Sequence, residues 1–306
     1  MPRFPLLLAA LLCPLPALAF NDVGHMAVAA IAYDQLTPEA RARVKVLLQL
    51  NPDHAGWLAG AGSNDPDKVA FMRSASWPDD IKQKDDYFTD NQLSPKAADV
   101  VGYGDKARHK FWHYKDVAFT IDSTPLPKAK TPDAQTQIAR MRKLLASDAS
   151  DDAKSYSLTW LNHLVGDVHQ PLHAAERFSK ALPKGDTGGN DVIVCTTACV
   201  KLHAFWDDAL GATRSHEDAV PKALKVQQRL ATVKVNAAQA AIANENTWIA
   251  ESAALARKFA YASPVGTSAE QFKLDPTYRN NAGSIAEKQV ALAGARLARL
   301  INGNLK

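Results

Sequence analysis

Apolar positions along this chain recur mostly three or four residues apart, the spacing of helices with one buried face. Thr37-Pro38-Glu39 supplies a cap, a first-turn proline and an early acid, and predicts a helix over residues 40–50. Thr131-Pro132-Asp133 repeats that signature ahead of Ile138, Met141, Leu144 and Leu145. Ser284 and Glu287 have capping-box spacing before a helical run over residues 290–301. Residues 158–168 and 237–261 also read as helices. Strand signals are scarce. Val192, Ile193, Val194 and Val200 flank Cys195 and Cys199 and predict a small hairpin over residues 191–201. Loops are expected at 51–68, 83–110, 178–189 and 263–281. The expected class is all-α, mostly helical, with one small β-hairpin.

The first residues read differently. Arg3 gives a positive start, residues 6–12 are apolar, and Ala17-Leu18-Ala19 is a small-x-small cleavage site. This is the pattern of a secretory signal peptide, residues 1–19, removed to leave residues 20–306. The apolar run is too short to span a bilayer, which takes about 20 residues, and proline interrupts it. The mature protein is therefore expected in a periplasm or outside the cell. Cys195 and Cys199 remain after cleavage, and an even pair in an oxidising compartment favours a disulfide. Half a metal site is the alternative, with no second cysteine pair to complete it.

Hydrophobic residues make up 46% of the 306 and charged residues 22%, which fits a globular chain. The formal charge of +4 falls by one with Arg3. That excess tolerates a polyanionic substrate without identifying one. It is small for a nucleic-acid coat protein.

The chemistry lies in the histidines and aspartates. His163 and Asp167 are four apart in a helical run, so they share a face and reach a common ion. Pro171 should end that helix near Gln170 and turn His173 elsewhere, toward a second metal. His203 and Asp207 repeat the spacing. One such pair alone is often a surface ion pair worth about 0–1 kcal/mol. Its recurrence beside a third histidine points to metal, and imidazole with carboxylate suits catalytic zinc. His25 lies five residues after Phe20, the expected new N-terminus. A free α-amine there, with an ordinary pKa of about 7.7–8.0, readily gives up its proton to a metal. The candidate ligands span residues 25–207, which argues for one domain.

Several segments, in order, resemble the S1/P1 nuclease family of zinc-dependent nucleases. They are Gly24-His25, Ser76-Trp77-Pro78-Asp79, Trp112-His113-Tyr114-Lys115-Asp116, the His163 to His173 stretch, Asp186-Thr187-Gly188-Gly189-Asn190 and Leu202-His203-Ala204-Phe205-Trp206-Asp207. The resemblance implies the helical fold of phospholipase C and P1 nuclease and three zinc ions. One would be held by Asp79, His113, His163 and Asp167, and a second by Phe20, His25 and the bridging Asp167. The third would be held by His173, His203 and Asp207. Asp79 and His113 come from the resemblance alone; from its own surroundings Asp79 is equally a helix cap. The family usually begins Trp-Gly where this chain has Phe20-Asn21, a change that backbone ligation tolerates.

The resemblance also implies catalytic roles for Asp79 and Asp167. Lys82 matches an arginine beside the scissile phosphate and keeps the charge without the planar fork. Tyr114 matches a base-stacking aromatic, and Asp116 and Asn190 match polar base contacts. A core tyrosine, a loop cap and a Gly-Gly-Asn turn residue of unusual φ are their structural alternatives. The implied activity is endonucleolytic cleavage of single-stranded DNA and RNA to 5'-phosphate products, with 3'-nucleotidase activity. The expected state is a monomer without stable membrane association. A zinc-dependent phospholipase C and a non-catalytic exported zinc-binding protein are the competing readings.

Overall fold

The computed structural model describes residues 20–213, 215–267 and 270–305. The expected signal peptide, residues 1–19, lies outside the described residues. Helices dominate, with small sheets at the periphery. The centre is the helix Asp151–Asp167, in which every residue from Lys154 to Asp167 is buried. Ser150 caps it by accepting from Ala153 N–H, and Asp151 and Asp152 sit in its first turn, where the helix dipole favours acids. The helices Asp22–Asp34, Pro38–Leu48, Ala134–Leu145 and Pro276–Asn304 pack around it. A helix enclosed on all sides can place polar side chains only where partners await them. Asn162 shows this, donating from Nδ2 to the Phe71 carbonyl at 2.7 Å and to Ser74 Oγ at 2.8 Å.

Aromatic packing fixes the two segments that carry Asp79 and His113. Trp77 meets Tyr103 edge-on at 5.5 Å and Trp160 at 6.5 Å. Trp112 packs on Trp160 at 4.9 Å and stacks on His109 at 3.5 Å. His109 is held in turn by Asp90 at 2.7 Å and Asp105 at 2.9 Å. Nothing in its sequence spacing announces this role.

Val117–Thr120 pairs in parallel with Ala175–Phe178, Val117 opposite Ala175. Ile193–Cys195 pairs antiparallel with Cys199–Lys201, the expected hairpin, and Cys195 and Cys199 face each other and form the disulfide. Gln271–Lys273 adds a third, parallel strand beside Ile193–Cys195.

Several local expectations need correction. Thr131 is not the cap: a cis bond joins it to Pro132, and Asp133 caps Ala134–Leu145 in a box with Thr136. Ser284 lies inside a helix that starts at Pro276, because Asp275 already caps Tyr278 N–H at 2.7 Å. The loop expected at 263–281 therefore ends early, and the one at 51–68 contains the helix His54–Ala59. The helix expected over 237–261 is broken. It ends at Ala240 and resumes at Glu245, where Asn244 accepts from Asn246 N–H. A polar side chain that satisfies a free N–H starts a helix more effectively than continued periodicity.

Candidate metal centre

Eight of the expected side-chain ligands converge in the interior. His25, Asp79, His113, His163, Asp167, His173, His203 and Asp207 are all 0–6% exposed. Three groups have ligand atoms within 4.8 Å of one another: His25, His163 and Asp167; Asp79, His113 and His163; and His173, His203 and Asp207.

Asp167 joins the first two. Its Oδ2 lies 3.0 Å from His163 Nε2 and 3.1 Å from His113 Nδ1. Its Oδ1 turns the other way, 3.3 Å from His25 Nε2. The i and i+4 spacing predicted the His163 contact; the tertiary fold supplies the other two. His25 also stacks on His163 at 3.9 Å, nearly parallel. Gly166 makes that stack possible, since a Cβ there would sit 2.9 Å from His25 Nδ1. Gly24 plays a similar part for Phe20, whose own Cβ would be 2.8 Å from a Cβ at position 24. Phe20 is fully buried and edge-on to His25, with centroids 6.4 Å apart.

Backbone carbonyls orient most of the rings. Facing nitrogens are His163 Nδ1 to Ala75 O at 2.6 Å, His173 Nδ1 to His113 O at 2.8 Å, and His203 Nδ1 to Gly188 O at 2.7 Å. A carbonyl accepts only from N–H, so each Nε2 is left with its lone pair inward, the tautomer a metal requires. His173 Nε2 and His203 Nε2 then face each other at 3.0 Å, two lone pairs with no proton between them. Gln170 was not singled out by sequence. Its Nε2 donates to Asp207 Oδ1 at 2.7 Å and orients that carboxylate.

The electrostatics agree. Burial, with the nearby Lys82 cation, pushes His113 down to about 3, and burial beside the His173 imidazole pushes His203 to about 3. Both rings are neutral near pH 7. Burial would raise the Asp167 carboxyl, but the surrounding His163 and His173 imidazoles and a bond from His113 outweigh it and hold it well below the usual range. Burial pushes Asp207 well above the carboxylate range, and the Asp208, Asp79 and Asp167 charges add to it against the opposing bond from Gln170. His25 Nδ1 and Nε2, His113 Nε2, Asp167 Oδ1 and Asp207 Oδ2 are buried without a hydrogen-bond partner. These five atoms point into one donor set of imidazole nitrogen and carboxylate oxygen, and a buried polar group without a partner is costly unless something else, such as an ion, satisfies it. That set fits a borderline divalent metal such as zinc.

A family model described as S1/P1 Nuclease matches residues 20–306. The chain belongs to the S1/P1 nuclease family. Among relatives, Endonuclease 4 of Arabidopsis thaliana is 27% identical over 313 residues, spanning 94% of this chain and 89% of the relative. Endonuclease 3 of the same plant is 28% identical over 304 residues, with coverage of 94% and 89%. Endonuclease 5 is 26% identical over 312 residues, with coverage of 94% and 90%. The mostly helical architecture agrees with the S1/P1 nuclease fold. No described helix is long and apolar enough to cross a membrane.

The remaining expected site residues of this S1/P1 nuclease surround the centre. Lys82 Nζ lies 2.6 Å from Asp79 Oδ1, so it is an ion-paired side chain at the site edge and not a freely solvated one. Asp79 does not cap its helix, having no such bond. Its carboxyl would be raised by burial, but Lys82 and the neighbouring imidazoles hold it well below the usual range. Tyr114 and Asp116 leave the chain next to His113 and are part-buried. Burial and the Asp186 charge raise Asp116 to about 6. Asn190 belongs to the turn whose Gly188 carbonyl holds His203, and its Nδ2 donates to Thr187 O at 2.9 Å. The positive φ values of that turn fall on Thr187, Gly188 and Gly189, so the unusual conformation expected of Asn190 is not its own.

Proposed function

We propose that the protein is an exported, zinc-dependent endonuclease that hydrolyses single-stranded DNA and RNA to 5'-phosphate products and also removes 3'-phosphates from nucleotides. The observation that carries this reading is the Asp167 carboxylate, whose two oxygens address two histidine groups. The three ligand groups would hold three zinc ions, with Phe20 joining His25 through its α-amine once residues 1–19 are removed.

Zinc at these ligands would supply a Lewis acid that brings the pKa of water toward 7 and offsets phosphoryl charge. The protein's own part is placement. Asp167 fixes the spacing of the two nearest ligand groups. Asp79, held ionised, orients an attacking water by accepting its hydrogen bond. Lys82 brings a cation to the phosphodiester as charge builds on its oxygens. Tyr114 offers a ring on which an unpaired base stacks, worth roughly 1–3 kcal/mol. Asp116 and Asn190 would read its edge. A duplex keeps its bases stacked and would lose this contact. The Tyr114, Asp116 and Asn190 set favours a nucleobase over a lipid headgroup.

The test is to express the full chain, confirm that the mature protein starts at Phe20, and measure zinc content. Single-stranded DNA, RNA, duplex DNA and phosphatidylcholine are then assayed before chelation, after it, and after zinc is returned. Zinc-restored cleavage of the single strands is expected. Cleavage of phosphatidylcholine without nucleic-acid cleavage would establish a phospholipase instead. Bound zinc with no phosphoesterase activity would mark a non-catalytic zinc-binding protein.

A further inference from the structure

His216 belongs to none of the three groups above, yet it touches the segments that carry two of them. It opens the helix His216–Leu230, which Ser215 caps at Asp218 N–H. Its Nδ1 lies 3.0 Å from Asp22 Oδ2, and its Nε2 lies 2.9 Å from Asp80 Oδ1. Asp22 sits between Phe20 and His25, and Asp80 follows Asp79. The neighbouring residue Asn21 is tied in another direction. Its Nδ2 donates to Asp208 Oδ1 and to Gly211 O, both at 2.7 Å, and Asp208 follows Asp207.

We infer that His216 is a positioning residue, a charged clamp that holds the segment from Phe20 to His25 against the Trp77–Asp80 turn and so fixes the spacing between their metal groups. This rests on the zinc reading of the centre. A newly cut terminus frays unless it is tied down. Here residue 21 ties it to the helix of the third group, and residue 22 ties it, through His216, to the short helix Trp77–Asp80 that carries Asp79 of the second. Metal ligands tolerate displacements of only about 0.2 Å, so a loosened terminus would weaken the ion it helps hold.

The same three side chains also bring ligand atoms within 4.8 Å of one another. The arrangement argues against a fourth ion. The two carboxylates lie at opposite ring nitrogens, so an ion on one nitrogen would leave the other carboxylate across the ring. The Asp22 and Asp80 carboxylates beside the ring also outweigh burial and raise the imidazole to about 9, so near neutral pH it is a cation with no lone pair for an ion. Arg73, part-buried, lies near enough to both carboxylates to feel their charge.

The experiment compares zinc loss to a chromogenic chelator from the mature wild type, His216→Ala, Asp80→Asn, His216→Arg and Arg229→Ala. Arg229, on the same helix as His216, pairs at 3.0 Å with Glu287 of the helix Pro276–Asn304, and Arg229→Ala controls for a general weakening. His216→Ala and Asp80→Asn should each release one zinc ion roughly ten- to a hundredfold faster, the range for outer-shell changes. The other ions should leave at the wild-type rate. His216→Arg keeps the charge and two donors and should restore slow release. Wild-type release from both His216→Ala and Asp80→Asn overturns the clamp, and so does equal acceleration of all ions matched by Arg229→Ala. A zinc ion found on His216 overturns it as well. A wild type that binds no zinc overturns the zinc reading itself, and the clamp with it.

Discussion

Gly166→Ala tests the centre with a single methyl group. Gly166 lies in a buried helix one residue before Asp167, and a Cβ there would stand 2.9 Å from His25 Nδ1. Ordinary contact begins at 3.4 Å, so His25 or the helix must yield by about 0.5 Å. The ring is fully buried and already stacked on His163 at 3.9 Å, so it has little room to retreat. Helix propensity favours alanine over glycine by about 1 kcal/mol. Overpacking costs about 1–3 kcal/mol. The two nearly cancel, so metal-free stability should fall by no more than about 2 kcal/mol. Metal binding should suffer far more, since a shift of half an ångström exceeds the roughly 0.2 Å that coordination allows. The assay is zinc titration and nuclease rate, with urea unfolding of the metal-free protein as the control. We expect a variant that folds, binds its last zinc ion at least about tenfold more weakly, and cleaves slowly. Wild-type zinc affinity and activity in a folded Gly166→Ala protein would refute the placement of His25 as a ligand.

Three further outcomes follow from the same geometry. Tyr114→Ala should raise KM for single-stranded DNA by about 5–150-fold while zinc content is unchanged, in line with about 1–3 kcal/mol of lost stacking; an unchanged KM would remove Tyr114 from base binding. Burial and the Asp116 charge raise Glu176 to about 7, so the folded protein keeps a proton there that the unfolded chain has lost. Stability should therefore decline as pH rises from about 4.5 to 7, and Glu176→Gln should flatten that decline in urea titrations across the window. Cys195→Ser opens a loop spanning a sequence separation of 4 and should cost about 2 kcal/mol by chain entropy without altering zinc content; metal analysis and urea unfolding read the two quantities separately.

Helix spacing made His163 with Asp167 and His203 with Asp207 legible, because i and i+4 share a face in any helix. The cysteine pair was legible for a similar reason, since a short hairpin brings its ends together whatever surrounds it. Helix starts were less so. Thr131 and Ser284 have the right spacing, but Asp133 and Asp275 offer competing acceptors that bind the free N–H groups first. Propensity ranks such residues together, and only the local backbone decides between them.

The sequence by itself determined the helical class, the small disulfide hairpin and the two local His–Asp pairs, all of which depend on neighbours a few residues away. The cleavage-site pattern made Phe20 a ligand candidate, and the family motifs added Asp79 and His113 by resemblance, without a geometric reason. The tertiary structure alone decided that Asp167 also turns one oxygen to His113 and the other to His25, which comes from residues 25 and 113 meeting at the buried helix. It also decided that His216, far along the chain, reaches Asp22 and Asp80. Contacts of that range depend on how helices pack, and packing is set by the summed shape of many apolar side chains, which no local spacing records.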